Sequence, residues 1–214
     1  MEQRIDRSTW ARSAHDRLFK RLEVPFYSLT ARVDVTEALL FSKRHGVSFY
    51  KTLIWATMRA INSVDAFLIE LRGDEVYRLD HRNPSYTYPW DDELFGICGT
   101  EWIDGEPPLA FLERCQEAEA KNASPIPTAE ADKSGHDVYL SSLPWIDYGH
   151  IAQEFPLDNT DSTPRILWGK RTEDGKGRAS LPYSIQVNHR LIDGIHLKRF
   201  FDALNGAIKA LEDF

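Results

Sequence analysis

The chain has 214 residues, enough for one large domain or two small ones, and carries a net charge of −7. Its hydrophobic content of 42% and its six tryptophans supply a core and argue against disorder. The negative charge disfavours nucleic-acid binding, and no apolar run approaches the ~20 residues of a membrane span. The polar N-terminus does not resemble a secretory signal, and Cys98 and Cys115 show neither metal-ligand spacing nor a disulfide framework. These features predict a soluble, cytoplasmic protein.

Hydrophobic periodicity and turn residues divide the chain into alternating elements. The helical pattern predicts five helices, at Ser8–Leu22 with Ser8 or Thr9 as cap, Thr36–His45 closed by Gly46, Ser48–Ser63, Pro107–Asn122, and from Asp193 onward. The alternating pattern predicts eight strands, at Tyr27–Val35, Phe67–Arg72, Glu75–Asp80, Ser85–Pro89, Leu94–Trp102, Val138–Leu143, Ile166–Lys170 and Ala179–Asn188. A loop is expected at Ala123–His136. No composition break or long linker interrupts this mixture, so we expect a single α/β domain over residues 1–214.

The segment Tyr183–Asp202 changes from a strand period to a helical period. Between the two patterns lie His189 and, four residues later, Asp193-Gly194. Asp193 is a good N-cap residue, and Gly194 permits a tight turn. His189 is therefore predicted where a strand ends and a loop begins, a common location for a catalytic imidazole. Taken alone, the motif also fits an ordinary loop histidine followed by a capping aspartate.

Five signatures follow one another along the chain: W-x-R-x-x-H at Trp10, Arg12 and His15; Y-S-L-T-x-x-V-D-V-T at 27–36; S-F-Y at 48–50; L-S-S-L-P-W at 140–145; and V-N-H-R-L-I-D-G at 187–194. With them the chain, from Trp10 to Leu211, resembles the trimeric chloramphenicol acetyltransferase family. Each is weak alone, but five in the right order are a strong signal. The resemblance implies a two-layer α/β sandwich with a mixed sheet, the fold of CoA-dependent acyltransferases. It also implies a cytoplasmic homotrimer, with active sites between subunits, that confers antibiotic resistance by transferring the acetyl group of acetyl-CoA to chloramphenicol without a metal.

By that resemblance, His189 is the general base, Ser141 assists the oxyanion, and Asp193 pairs with Arg12 to hold the active-site loop. The chemistry is coherent. An alcohol becomes a good nucleophile when a base takes its proton, and imidazole, with a reference pKa of ~6.5, suits that task. Attack on a thioester creates an oxyanion that a serine hydroxyl can stabilise. A buried Arg–Asp pair rarely adds net stability, so its expected role is orientation of the loop.

The resemblance further assigns acceptor-binding positions to Phe19, Tyr27, Phe95, Ile97 and Leu167, and these are expected to meet His189 across a subunit interface. Several of them depart from the family pattern. Phe19 stands where tyrosine is usual, Ile97 replaces an alanine, and Leu167 replaces a threonine that supports the tetrahedral intermediate through water. Asn188 also replaces a first histidine. A bulkier Ile97 predicts a narrower pocket, and Leu167 predicts slower turnover.

Co-substrate binding is assigned to Trp145, which could pack on the pantetheine arm or belong to the core, and to Lys170. The basic cluster of Lys170, Arg171, Lys176 and Arg178 could attract CoA phosphates, although exposed lysine and arginine side chains are ordinary. The remaining histidines show no metal-ligand spacing. His196 on the final helix is a candidate supporting group, although a surface position is more common for such a residue.

Two other hypotheses remain open at this point. The acyltransferase cores of 2-oxo acid dehydrogenase complexes carry D-H-R-x-x-D-G, and residues 189–194 are close to it, with Asn188 in place of the aspartate. A thiol acceptor of the dihydrolipoyl type is therefore an alternative to a hydroxyl. The third hypothesis is a non-catalytic protein on the same scaffold, which would tend to lose the base that His189 supplies. Thioester cleavage by the purified protein separates this last hypothesis from the other two.

Overall fold

The computed structural model describes residues 2–126 and 136–214. Its five α-helices are α1 (Ser13–Phe19), α2 (Thr36–His45), α3 (Phe49–Asn62), α4 (Pro108–Lys121) and α5 (Gly194–Lys209). Its strands are β1 (Gln3–Arg4), β2 (Phe26–Asp34), β3 (Ile69–Arg72), β4 (Glu75–Arg78), β5 (Asn83–Pro89), β6 (Phe95–Gly99), β7 (Asp137–Ser142), β8 (Arg165–Trp168), β9 (Thr172–Glu173) and β10 (Ala179–Asn188). Short 3₁₀ turns cover Asp65–Leu68 and Ala210–Asp213.

The main sheet has the strand order β2-β10-β8-β7-β5-β6, with β9 paired to β10. It is mixed, because β5, β7 and β8 run parallel and the other pairs are antiparallel. A small antiparallel sheet, β1-β4-β3, lies outside it. The predicted α/β class with a mixed sheet and packed helices is confirmed.

Helices α3 and α5 cover one face of the main sheet and form the core with it. Tyr183 is fully buried on this face, and its ring packs near that of Phe200. The hydroxyl groups of Tyr183 and Thr57 share a hydrogen bond of 2.8 Å. Strand β10 is buried along most of its length, so it lies at the centre of the molecule. The predicted catalytic motif therefore follows a long and almost entirely buried strand, whose end can be held rigidly.

The irregular segment between β7 and β8 covers part of the opposite face. The Tyr148 hydroxyl donates to the Leu167 carbonyl at 2.7 Å, and Gln186 accepts from the Gln153 amide at 3.0 Å. Gly169 permits this close approach, because a Cβ there would lie 2.6 Å from the Ile146 carbonyl oxygen. This irregular segment covers the face only as far as β8. Over β7 and β5 the same face is open and forms a cleft.

Several predicted boundaries differ from the structure. The first helix begins at Ser13, after turns at 7–12, because Ser8 bonds the carboxylate of Asp6 and therefore does not cap a helix. Phe67 and Leu68 form a 3₁₀ turn, and strand β3 begins only at Ile69. The loop expected at 123–136 lies mostly outside the described residues. Among the residues described, no helix is both long and apolar enough to cross a membrane.

Candidate active site

The loop that carries His189 is tied to the start of strand β2. His189 follows the last residue of β10, and its amide donates to the Pro25 carbonyl at 2.7 Å. Helix α5 begins five residues later, with Asp193 as the N-cap in an extended conformation. A strand end and a helix start therefore fix the two ends of the five-residue loop 189–193, which limits the positions that the imidazole can take.

The hydrogen bonds of the His189 ring define its tautomer. Its Nδ1 lies 3.0 Å from the Ile192 carbonyl oxygen and 3.2 Å from Oδ1 of Asp193. Both neighbours can only accept, so Nδ1 carries the proton of the neutral ring. Nε2 then keeps its lone pair, and the side chain is 35% exposed. This is the form of imidazole that can remove a proton from a substrate.

Two aromatic rings of the same chain hold the imidazole. Phe19 stacks on it with centroids 3.9 Å apart and an interplanar angle of 18°, and Tyr27 lies at 4.6 Å. The Tyr27 hydroxyl donates to the Ile192 carbonyl at 3.3 Å, so that one oxygen serves both Tyr27 and His189. Burial, together with the charge of Asp193, raises the pKa of Tyr27 to about 12. Tyr27 therefore remains a phenol and keeps this bond at any ordinary pH.

Arg12 and Asp193 form a bidentate pair beneath the loop. The guanidinium Nη1 and Nη2 lie 2.5 Å and 2.6 Å from the two carboxylate oxygens. Arg12 also donates to the carbonyls of Arg190 at 2.7 Å and His189 at 2.9 Å. The hydrogen bond from Arg12 is the largest cause that lowers the pKa of Asp193. One arginine side chain thus holds the loop at three of its five residues.

His196 completes the start of α5. Its Nδ1 accepts from the amide of Asp193 at 2.9 Å, the arrangement of a capping box. Burial, followed by the charge of Arg12, lowers the pKa of His196. A neutral ring is required here because Nδ1 must offer a lone pair. Sequence reasoning named His196 as a candidate supporting group, and the Asp-x-x-His spacing was the available signal.

Ser141 lies at the open cleft, near the end of β7. Its hydroxyl is 2.9 Å from that of Thr87 on the neighbouring strand β5. Leu167 of β8 is paired with Ser141 and lines the same cleft. Thr87 was not identified from the sequence, because only the pairing of β5 with β7 brings it to Ser141.

The cleft is too large to be a finished ligand site. Among the described residues, those of the predicted site that line it are Ser141, Phe95, Ile97, Leu167, Trp145 and Lys170. Its volume of about 1810 Å³ exceeds the roughly 300–1,000 Å³ of ordinary ligand pockets. Phe95 and Trp145 are 56% and 78% exposed, large values for aromatic side chains. Trp145 is therefore not a core residue within one chain.

The two predicted catalytic residues do not meet within one chain. Ser141 pairs with Leu167, which pairs with Ser184 of β10, so two strand spacings separate Ser141 from β10. His189 lies five residues beyond Ser184. With about 4.8 Å between strands and about 3.3 Å per residue, their backbones are roughly 19 Å apart. His189 lies moreover on the β2 side of β10, against Tyr27, and does not line the cleft.

The predicted acceptor-binding residues divide between these two places. Phe95, Ile97 and Leu167 lie at the cleft with Ser141, whereas Phe19 and Tyr27 contact His189 of their own chain. The expectation that Phe19 and Tyr27 meet His189 across an interface is wrong. The cause is the register of β2 on β10, which pairs Tyr27 with Val187, two residues before His189. Below, the cluster of His189, Phe19, Tyr27, Arg12 and Asp193 is called the histidine half, and the cleft with Ser141 the serine half.

Other chemistry-bearing groups have ordinary surroundings. Among residues 2–126 and 136–214, no group of three His, Cys, Asp or Glu side chains could hold a metal ion. Cys98 and Cys115 are free and buried, and burial raises the pKa of both thiols. Asp16 and Arg190, which the sequence analysis did not single out, form a buried ion pair beside the histidine half.

The architecture is that of known acyltransferases. A solved chloramphenicol acetyltransferase superposes with a TM-score of 0.88 at 22% identity, covering 97% of this chain and all of the other. The cubic core of the pyruvate dehydrogenase multienzyme complex superposes with a TM-score of 0.66 at 20% identity, over 93% of this chain and 88% of the other. At these identities, the likeness establishes the fold.

Sequence comparison defines the family. The family model described as chloramphenicol acetyltransferase matches residues 2–205. Chloramphenicol acetyltransferase 2 of Escherichia coli is 25% identical over 202 residues, 94% of each chain. The chloramphenicol acetyltransferase of Clostridium perfringens is 28% identical over 204 residues, 92% of this chain and 90% of its own length. The chain belongs to the chloramphenicol acetyltransferase family, a family of acyltransferases.

Proposed function

We propose that the protein transfers the acetyl group of acetyl-CoA to a hydroxyl of chloramphenicol and thereby confers resistance to it. The observation that carries this proposal is the tautomer of His189, whose Nδ1 faces two acceptors and whose Nε2 keeps a lone pair. Membership of the family supports the choice of acceptor, since relatives that match over more than 90% of the chain are named for chloramphenicol.

In this mechanism, Nε2 of His189 takes the proton of the acceptor hydroxyl as its oxygen attacks the thioester carbon. The carbonyl oxygen becomes an oxyanion, to which the Ser141 hydroxyl donates, while Thr87 donates to Ser141 and orients it. Collapse of the intermediate breaks the carbon–sulfur bond. The imidazolium returns its proton to the departing thiolate, which leaves an acetyl ester, free CoA and neutral His189.

We propose that the active site forms between subunits of a homotrimer, with the histidine half of one chain facing the serine half of the next. Two observations support this arrangement. The backbones of His189 and Ser141 are roughly 19 Å apart within one chain, by strand spacing and register. The serine half is also an open cleft with exposed aromatic side chains, which a neighbouring chain would cover. A closed ring of three identical interfaces would give three such sites.

Acetyl-CoA would occupy the cleft on the serine half, where its thioester could reach Ser141. Trp145 and Lys170 lie on the rim of this cleft, and both are exposed. Trp145 offers an apolar face to the pantetheine arm, and Lys170 offers charge to a phosphate. The chloramphenicol ring would lie between Phe95 and Ile97 of one chain and Phe19 and Tyr27 of its neighbour.

We assign the reaction to the cytoplasm, where acetyl-CoA is available. The free, buried state of Cys98 and Cys115 fits a reducing compartment. The expectation that no metal takes part follows from this chemistry, in which the base and the oxyanion donor are protein groups.

The test is an acceptor assay with purified protein, acetyl-CoA and detection of free thiol, with the product identified by mass spectrometry. Chloramphenicol should yield an acetyl ester, and expression should raise the resistance of a sensitive host. Dihydrolipoamide serves as the matched thiol acceptor, and an analogue of chloramphenicol without its primary hydroxyl serves as the negative control. Faster transfer to dihydrolipoamide would favour the lipoyl-type alternative. Absence of transfer to any acceptor by a folded trimer would contradict the proposal.

A further inference from the structure

A second ion pair, fully buried, joins α1 to the His189 loop one helical turn beyond Arg12. Asp16 of α1 and Arg190 are both 0% exposed, and Nε of Arg190 donates to Oδ1 of Asp16 at 2.8 Å. Arg190 directly follows His189, and Asp16 lies one helical turn before Phe19, whose ring stacks on the imidazole. The pair therefore joins the two elements whose side chains stack.

Most other groups of the pair are also engaged, although Nη2 of Arg190 is buried without a hydrogen-bond partner among the described residues. Nη1 of Arg190 donates to the carbonyl oxygen of Asn159 at 2.9 Å, and its amide donates to Asn188 Oδ1 at 2.9 Å. Asn188 in turn donates to the carbonyls of Asn159 and Asp161, and the second oxygen of Asp16 accepts from Arg7. The two neighbours of His189 in sequence thus hold the same surface segment, and Asp16 holds α1 to them.

Stability alone is a poor reason for such a pair. Two charges lose their hydration when they are buried, and replacing both by apolar side chains often leaves stability unchanged or higher. Removing only one partner is costly, because the other charge is left buried and unpaired. The pair instead restricts position, because a guanidinium that is hydrogen-bonded to a carboxylate away from water has a narrow range of favourable positions.

We propose that Asp16 and Arg190 are a positioning pair for the imidazole of His189. The pair fixes α1 against the loop, so that the Phe19 ring stays stacked on His189 and Nδ1 stays on the Ile192 carbonyl. Arg12, the N-cap of α1, holds the loop at Asp193, and Asp16, one turn further along α1, holds it at Arg190. This inference rests on the proposed function only in taking His189 as the general base. The position of the His189 ring itself does not depend on which reaction the protein catalyses.

The kinetic test compares a single variant with a double variant. Asp16→Asn keeps the volume and removes the charge; it should lower kcat about tenfold or more, since small misplacement of a reacting group is costly. KM for acetyl-CoA should stay within about twofold, because the co-substrate is assigned to the serine half. In Asp16→Asn/Arg190→Met both fully buried charges are removed, and only Arg7, which is partly exposed, loses its counter-charge. Most of the thermal stability should therefore recover while kcat stays low. The single variant Arg190→Lys, which keeps the charge without the planar guanidinium, should retain only part of the native kcat.

A matched control and a second readout separate positioning from folding. Asp74→Asn removes an exposed ion pair with Lys20 at the end of α1 and should leave kcat and stability unchanged. Nitrogen-15 NMR of histidine-labelled protein, assigned with His189→Gln, should show the Nδ1–H form of His189 in the native chain and mixed tautomers in the double variant. This readout needs no substrate, so it stands or fails independently of the acceptor. A folded double variant with native kcat and an unchanged tautomer would overturn the inference.

Discussion

Arg12 and Asp193, 181 positions apart in the chain, are joined by two parallel hydrogen bonds of 2.5 Å and 2.6 Å. Their side chains are only 13% and 29% exposed, so water competes weakly for either group. Because Arg12 also binds the carbonyls of His189 and Arg190, loss of its charge partner should disturb the whole loop. The first two predictions follow from this relationship.

Asp193→Asn should lower both activity and thermal stability, since it leaves the guanidinium of Arg12 buried without a counter-charge. Combined with Arg12→Ala, the two losses should be non-additive, with a coupling free energy of about 0.5–3 kcal/mol in a double-mutant cycle. The exposed pair Lys198 and Asp202 on α5 is the control cycle, where we expect almost no coupling. Strict additivity at Arg12 and Asp193 would exclude the orienting role.

The stability that the carboxylate of Asp193 contributes should be lost in acid. Its pKa is lower in the folded state than in the unfolded chain, so the contribution is complete above the unfolded value of about 3.9. It is lost as the pH falls through the lower, folded pKa. The difference in Tm between the native protein and Asp193→Asn should therefore be constant near neutrality and shrink below about pH 4. A difference that instead grows in acid would contradict the assignment.

His196 should make stability sensitive to pH in a higher range. Its pKa is lowered in the folded state, so the unfolded chain binds a proton first as the pH falls below about 6.5. Stability should therefore decrease from that pH downward, as the bond from the Asp193 amide to Nδ1 is lost. His196→Gln retains an acceptor without titrating and should flatten this part of the profile, whereas His196→Ala should be less stable at every pH. Identical slopes in the native protein and His196→Gln would refute this origin.

His189→Ala should lower turnover by at least roughly two orders of magnitude, the usual contribution of a positioned general base. Circular dichroism and light scattering should be unchanged, since the ring is partly exposed and its loop remains held by Arg12. A turnover close to the native rate in this variant would remove His189 from the mechanism.

Leu167→Thr should raise kcat several-fold, because it places a hydroxyl on the strand position paired with Ser141, where a water bridging to the oxyanion could be held. Leu167→Val removes similar bulk without a hydroxyl and is the matched control. Both variants should lose some stability, since Leu167 is only 8% exposed. Equal rates in the two variants would show that the hydroxyl contributes nothing.

Local chemistry made much of the fold predictable. Gly46 ends α2 with a φ of 65°, and Ser48 caps α3 by accepting from the Lys51 amide, as such residues usually do. The hairpin turned at Gly73-Asp74 and the strand Ala179–Asn188 also agree with their patterns. Helix α1 was placed too early because Ser8 and Thr9 resemble caps, while the structure uses them to bond Asp6.

The arrangement of the site was less accessible from the sequence. His189, Asp193 and Arg12 carry recognisable motifs, and the structure brings them together. The position of Tyr27 beside His189 depends instead on strand register, which no local pattern sets. Asp16 was not singled out, since an aspartate on a short polar helix gives no sign of the buried arginine it contacts.

The separation of the two halves has a consequence for mixed trimers. In a ring with one kind of interface, a site is intact only when one chain supplies the histidine half and its neighbour the serine half. Two variants that damage different halves should therefore complement each other when chains are mixed, whereas two that damage the same half should not. Tyr27 belongs to the histidine half, so a Tyr27 variant serves as the matched negative control for His189→Ala.

The most direct measurement is the activity of trimers reassembled from equal amounts of His189→Ala and Ser141→Ala chains, after light scattering has established that they are trimers. Random mixing should restore about a quarter of the native activity, because each interface then has about one chance in four of pairing two intact halves. Reassembly of His189→Ala with Tyr27→Ala should restore none. Recovery in the second mixture, no recovery in the first despite proven mixed trimers, or a fully active monomer would contradict an active site shared between subunits.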